Sequence, residues 1–458
     1  GLPAGSWIHQ VNPSTYATGE AWVVANNYRR NDWAPYVYHT DDFGKSWTRV
    51  ATPDQVEGHT WSLVQDLEEP NLVFLGTEYG LYISFDKAKT WHKWTHGYPS
   101  VPTRDLKIHL REHDLIIGTF GRAAYIMADI RPLRAMAADD EVLDQPFVQF
   151  PIPDAYLAAT QQPSGARFNA QADWEGENRT SRARLTYYLA EKGQPEEQKG
   201  DTTLPEYNWE KLAVTVYNSD GDTIRHYHTE ADTGLHRITW NLSADGTPFP
   251  TYRERKEDDN RPSGLSVLPG TYTVELRYGS YADSAEVEVL ADPRIPYDLE
   301  GELAKRAFMA EMESIVAKTD AAFEQLKAAK QSLDVVKANM EHVDKEDKDS
   351  VMSHTQMMAD SLKELMAIYF TPQDFVGYDH VTVRLSDHLQ LAMNLLQSSH
   401  GEPGANALTA MNNAKAEAKI AIERINTFFA EDWAEYQAFV ETIEKPLFPD
   451  REPVDLED

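Results

Sequence analysis

The chain has 458 residues, and its 43 Lys and Arg stand against 74 Asp and Glu for a net charge of −31. Such a surface repels nucleic acid and anionic membranes and excludes both as expected partners; no run approaches the roughly 18 apolar residues of a membrane span. Without cysteine there are no disulfides or thiolate metal sites, and nothing in the composition calls for a cofactor or a metal.

The segment Thr40-Asp41-Asp42-Phe43-Gly44-Lys45-Ser46-Trp47 fits the box S/T-x-D-x-G-x-x-W, and a second copy, Ser84-Phe85-Asp86-Lys87-Ala88-Lys89-Thr90-Trp91, follows 44 residues later. The chemistry is that of a turn. Ser/Thr and Asp bond back to neighbouring N–H groups, Gly takes a backbone angle that other residues resist, and Trp wedges between sheets. Thr40, Asp42, Gly44, Trp47, Ser84, Asp86 and Trp91 are therefore read as structural, and Ala88 at the Gly position predicts a distorted second turn. A further repeat aligns Gly76–Ile83 with Gly118–Tyr125 at an offset of 42, each preceded by an apolar strand. A period near 44 with short β-runs reads as propeller blades.

Residues 1–137 hold about three blades, whereas a propeller needs at least four. The remaining blades are expected in an upstream segment or in another chain. That Gly1 is not an initiator Met fits the expectation of a cleaved or truncated chain. Within the first blade, Asn26 to Tyr36 lengthens a hairpin with aromatic, cationic and acidic groups, a mixture favoured by binding surfaces. Tyr28, Arg30, Asp32 and Trp33, with Arg104 and Arg122, are the candidate binding residues; the alternative is an inter-blade packing loop.

From 138 to 296 the pattern is of short strands: Arg184–Leu189, Lys211–Tyr217 and Thr223–Thr229 about a Gly-containing turn, Gly234–Leu242, Pro269–Tyr278 and Ala285–Leu290. They predict an immunoglobulin-like β-sandwich, with the charged insert Asp245–Arg261 as a surface loop. From 297 to 445 apolar residues recur at steps of three and four, through Phe308, Met312, Leu326, Leu333 and Val343, then Val351 to Tyr369, Leu385 to Leu396 and Met411 to Val440. These seams predict a C-terminal antiparallel helical bundle of four helices. An acidic, Pro-rich tail occupies 446–458. The fold class is thus multidomain, β then α.

The order of parts resembles the C-terminal part of bacterial neuraminidase-repeat (Asp-box), sortilin-like β-propeller proteins, often labelled glycosyl hydrolases. The resemblance is carried by the box, by the closing strand Gly118-Thr119-Phe120-Gly121-Arg122…Asp129-Ile130-Arg131-Pro132-Leu133, and by Gly234–Trp240, Leu268–Tyr272 and Asp292–Ile295 before the helices. Ala123-Ala124 and Met127-Ala128 depart from the usual Gly-x-Trp and Leu-Asp of that closing strand. The resemblance implies an upstream propeller, an immunoglobulin-like module similar to that of flagellar hook-capping proteins, and a bacterial location that is extracellular, on the cell surface or periplasmic.

A sialidase needs three converging arginines, and a tandem-propeller hydrolase two opposed carboxylates. The spacing of Arg29, Arg30, Arg49, Arg104, Arg111 and Arg122, or of Asp32, Asp66, Glu78 and Asp105, selects neither set. His226 and His228 share a strand face without a third metal ligand in view. The leading expectation is an exported, non-catalytic β-propeller protein that binds a protein or glycan, or serves as a subunit of a cell-surface assembly. The alternatives are a glycoside hydrolase whose catalytic acids lie mainly in the missing blades, and a purely structural scaffold subunit.

Overall fold

The computed structural model describes residues 1–159, 179–199, 205, 207–256, 258–340, 345–372, 374–377 and 382–443. The tail at 446–458 and Val343 of the first helical seam lie outside the described residues. The chain divides into two compact units, one comprising Gly1–Thr223, His228–Leu242 and Pro269–Leu290, the other Ile224–Tyr227, Ser243–Leu268 and Ala291–Asp458. The N-terminal region is mostly β, in several small antiparallel sheets, and the C-terminal region is helical.

The first unit opens with three meanders. Strands β1 (Trp7–Pro13), β2 (Ala21–Asn27), β3 (Asp32–Thr40) and β4 (Thr48–Ala51) form one sheet in sequence order, and β5 (Thr60–Gln65), β6 (Val73–Thr77), β7 (Gly80–Ser84) and β8 (His92–Trp94) a second. Strands β9 (Thr103–His109), β10 (Asp114–Thr119) and β11 (Ala124–Met127) form the third. Trp22, Val24 and Val37 of the first sheet share a core with Leu63, Leu75 and Tyr82 of the second. Phe74, Leu81 and Ile83 of the second share another with Leu106, Leu115 and Ile117 of the third. The middle sheet is thus covered on both faces, which is why Leu72 to Leu75 run apolar without alternation.

Both boxes form the same turn between the last two strands of their sheets. Asp42 accepts from the Thr40 hydroxyl (2.8 Å) and from the backbone and hydroxyl of Ser46 (2.9 and 2.7 Å). Asp86 accepts likewise from Ser84 (2.8 Å) and Thr90 (2.9 and 2.7 Å). The distortion expected at Ala88 does not occur. Lys87 and Ala88 take φ of 61° and 65°, close to the 63° and 78° of Phe43 and Gly44. A methyl group is the smallest penalty a side chain can bring to this region. The Ala88 methyl is buried in the core between the first two sheets, and its N–H donates to Ser84 Oγ at 2.8 Å. These gains offset the strain. Burial opposes ionisation of Asp86, but the hydrogen bonds from Thr90, Ser84 and Lys89 outweigh it and hold the carboxyl below its usual range. Replacing Asp86 by Ala is expected to cost about 1–2 kcal/mol, since several donors lose one acceptor; thermal melting followed by circular dichroism checks it, and an unchanged midpoint refutes it.

After the third sheet the chain forms a short helix, α1 (Arg131–Ala138), opened by Pro132 in its first turn. Its Arg134 reaches back to the loop between β5 and β6, donating from Nε and Nη2 to the two oxygens of Asp66 at 2.8 and 2.9 Å. Further on, β12 (Phe147–Gln149) and β13 (Ala155–Leu157) lead to β14 (Ala183–Leu189), β15 (Lys211–Tyr217), β16 (Thr223–Glu230) and β17 (Gly234–Trp240). Two short strands, β18 (Ser243–Asp245) and β19 (Ser263–Ser266), pair with each other, and β20 (Gly270–Tyr278) and β21 (Tyr281–Ala291) form a tight hairpin. One sheet has the order β12-β14-β17 and the other β13-β21-β20-β15-β16. Trp240 meets Tyr272 edge-on at 5.6 Å, and the Gln149 side chain joins the sheets by donating to Val274 O and accepting from Leu276 N.

The second unit is built on α2 (Leu299–Asn339), α3 (Lys345–Tyr369), α4 (Leu385–Gln397), α5 (Ala405–Phe428) and α6 (Ala434–Glu441), with a π-helical segment at Phe429–Trp433 between the last two. Asp298 caps α2 by accepting from Gly301 N at 2.9 Å. Phe323, Leu326, Tyr369, Leu389 and Ile425 lie in one apolar core. Thr319 of α2, a polar residue, is fully buried there because its hydroxyl bonds Val316 O and its carbonyl accepts from the Tyr369 hydroxyl. The insert expected as a plain surface loop packs Phe249 and Tyr252 against that core, and Arg255 pairs with Asp320. No helix among the described residues is long and apolar enough to cross a membrane.

Candidate functional site

Equivalent positions of the three meanders meet at one rim of the first unit. The rim consists of the starts of the first strands and the turns between the second and third. Between β2 and β3 the chain makes a single 3₁₀ turn, Tyr28–Arg30, and reverses at Asn31, whose φ of 61° suits an asparagine. This turn projects Tyr28 and Trp33 towards the start of β5. The Tyr28 ring stacks on His59 at 4.7 Å and lies 5.4 Å from Trp61, while Trp33 lies 5.4 Å from His59 and 6.2 Å from Tyr28. From β9, Arg104 sets its guanidinium 3.4 Å from the Trp61 ring centroid and 5.2 Å from that of Phe120. Arg29 lies over both Trp7 and Tyr28. The result is a continuous aromatic cluster flanked by two stacked cations.

Its base is buried and its edge is open. His59 and Trp61 are 1% and 4% exposed, whereas Trp33 is 50% and Phe120 67% exposed. Trp61 Nε1 donates to Glu78 Oε2 at 3.0 Å. The same oxygen lies 3.4 Å from His59 Nε2, yet neither ring nitrogen of His59 makes a hydrogen bond. Burial pushes the His59 pKa down, Glu78 pulls it up and Arg104 pushes it down again; the balance keeps the ring neutral at neutral pH.

Of the six residues singled out in the sequence, Tyr28, Trp33 and Arg104 belong to this cluster. Arg30, one residue past the stacked Arg29, lies against Gly5, where a Cβ would strike its guanidinium. Arg122 is exposed in the turn between β10 and β11. Asp32 faces the hairpin itself: it accepts from Asn27 (3.1 Å), the Tyr36 hydroxyl (2.8 Å) and Ala34 N (3.2 Å). The Asn27 bond, with those of Tyr36 and Ala34, outweighs burial and holds its carboxyl below the usual range. Its geometry is that of a turn brace. Trp7, Arg29, His59, Trp61 and Phe120 escaped the sequence reading. A signal was present for one of them, since Trp61 and Arg104 are both second residues of a first strand and stand 43 positions apart, close to the repeat already in hand.

A second cleft in the same unit, of about 700 Å³, is lined by Trp94, His96, Asp129, Thr186, His236 and Arg237 among others. Its arginine is engaged, donating to Thr186 Oγ1 and to the carbonyls of Ala128 and Asp129. Nearby, burial and the neighbouring Arg179 and Arg237 lower the Arg184 pKa to about 10, with Asp129 pulling the other way; it stays charged at neutral pH. Among the described residues no group of three or more His, Asp or Glu gathers as a metal site.

No protein-family model matches the chain, and no curated protein matches it in sequence. Among solved structures, the GH74 enzyme of Niastella koreensis matches over 61% of this chain and 46% of its own, at 13% identity and a TM-score of 0.24. The chain thus spans less than half of that enzyme, and a likeness this loose carries no argument about activity.

Proposed function

We propose that the protein is an exported, non-catalytic binding protein, a subunit of a bacterial cell-surface assembly, whose three meanders are blades of a β-propeller and whose rim cluster holds the partner. In this reading 1–137 are blades, 138–296 an immunoglobulin-like sandwich and 297–445 a helical bundle. The sheet orders β12-β14-β17 and β13-β21-β20-β15-β16 support the sandwich. Incomplete closure of the propeller is supported by the two box tryptophans. Trp91 is 8% exposed and donates to Val50 O on the last strand of the preceding sheet, whereas its counterpart Trp47 is 42% exposed and donates only to Gly44 O of its own box. A preceding blade, from an upstream segment or another chain, supplies the missing neighbour.

The observation that carries the binding reading is the open edge of the rim, where exposed aromatic faces and stacked arginines lie on a rigid base. The glycoside hydrolase alternative needs two free carboxylates facing a substrate. Here Asp32 and Glu78 are both engaged in holding the rim together, which favours binding over hydrolysis.

The double substitution Tyr28→Ala with Trp33→Ala is expected to weaken binding at least tenfold, about 1.4 kcal/mol, on an immobilised panel of glycans and peptides. Its melting temperature is expected to stay near that of the wild type, because Trp33 is half exposed and Tyr28 is only partly buried. A double variant that binds as well as the wild type, or that unfolds, makes the loop a packing element and moves the site elsewhere.

A further inference from the structure

Resting on the binding reading above, we infer that the rim takes an acidic glycan: Arg104 receives a sugar carboxylate, and the exposed rings stack on the C–H faces of the pyranoses.

The first ground is the pairing of arginines. Acidic side chains outnumber basic ones by 74 to 43, and many arginines elsewhere pair with them: Arg111, Arg131, Arg134, Arg179 and Arg255 each hold a carboxylate, although Arg49 and Arg306 bond carbonyls instead. At the rim, Arg29, Arg30, Arg104 and Arg122 form no ion pair among the described residues. Four unpaired guanidinium groups at one end of three successive meanders make a local positive field on an acidic protein. That field attracts an anion.

The second ground is the geometry of Arg104. One face of its guanidinium is covered by Trp61 at 3.4 Å, and its Nε is buried without a hydrogen-bond partner. The remaining donors lie in the guanidinium plane, an edge that matches a planar carboxylate. Glu78 is committed to Trp61 Nε1 and Asp32 to its own hairpin, and buried His59 is neutral, so Arg29, Arg30, Arg104 and Arg122 outnumber the two carboxylates that hold the rim together. Trp7, Trp33 and Phe120 add exposed ring faces beside these cations. Rigid sugar rings present flat apolar faces and fixed carboxylates together. An acidic peptide presents carboxylates on flexible stems with little to stack.

The test uses the full chain in titration calorimetry with oligomers of galacturonate and mannuronate, their methyl esters, and polyglutamate. The uronates are expected to bind, with an affinity that falls as salt is raised, and the esters to bind at least tenfold more weakly because the charge is gone and the ring is kept. Arg104→Met, which retains a long chain over Trp61, is expected to lose at least tenfold in uronate affinity at an unchanged melting temperature, and Arg104→Lys to fall between it and the wild type. The inference is overturned if neither uronate binds, if the esters bind equally, if polyglutamate binds more tightly, or if Arg104→Met has no effect. Neutral-sugar binding that requires Tyr28 and Trp33 but ignores Arg104 leaves the rim reading standing and removes the acidic ligand; uronate binding indifferent to all three removes both.

Discussion

Replacing Arg134 by Ala is expected to destabilise the first unit by about 3–5 kcal/mol, the usual loss when one partner of a buried ion pair is removed. The Asp66 side chain is fully buried and its two oxygens accept from Arg134 in parallel. Arg134 Nη1 also donates to Glu68 Oε2 at 2.6 Å and reaches His113 Nδ1 at 2.6 Å. One side chain of α1 therefore joins the loop between β5 and β6 to the strand junction of the third sheet. Asp66 accepts as well from the backbone N–H groups of Glu68 and Glu69, so it remains in place after the truncation and carries an uncompensated buried charge. Arg134→Ala combined with Asp66→Asn is expected to recover part of the loss, because the orphaned charge is removed. Urea unfolding followed by circular dichroism checks both. A loss below about 1 kcal/mol for the single variant would mean that water reaches Asp66 and that the pair is a surface one.

The repeat was legible because a box turn needs particular side chains at particular offsets. Thr40 with Asp42 and Ser84 with Asp86 announce themselves without any tertiary information. Ala88 misled because the rule that Gly takes positive φ is local, while the burial and hydrogen bonds that let Ala take it are not. The helix α1 escaped for a similar reason. Its eight residues begin at Arg131 and Pro132 with no side-chain cap, and Arg134 finds its partner far away in sequence. In the helices, the 3-and-4 spacing marked a seam, but fully buried Met309, Val316 and Phe323 lie beside it, and the expected Phe308 is only partly buried. A long helix with several neighbours buries a stripe wider than one seam.

At the rim, composition pointed to Tyr28 and Trp33 because aromatic and charged residues in a lengthened hairpin are conspicuous. The same argument swept in Asp32, whose hydrogen bonds to Asn27 and Tyr36 depend on a backbone reversal at Asn31 that composition does not encode. His59 carries no local signal in the sequence. Its place beneath Tyr28 follows only from how the second meander packs on the first.

Trp61→Ala is expected to cost about 3–5 kcal/mol, the range for removing a buried tryptophan, and to abolish rim binding with it. Trp61 contacts residues from all three meanders: His9 and Tyr28 from the first, His59 and Glu78 from the second, and Arg104 from the third. Deleting the indole leaves Glu78 without its donor and Arg104 without the surface that orients it. Trp61→Phe separates these effects. It keeps most of the ring under Arg104 and removes the N–H, so it is expected to lose only about 1 kcal/mol, one hydrogen bond, and to retain most of the binding. If instead Trp61→Phe binds as poorly as Trp61→Ala while remaining folded, the hydrogen bond to Glu78 sets the rim geometry and the stacked guanidinium does not. If Trp61→Ala melts like the wild type, the rim base has no role in holding the meanders together, and the aromatic cluster is an assembly of separate surface contacts.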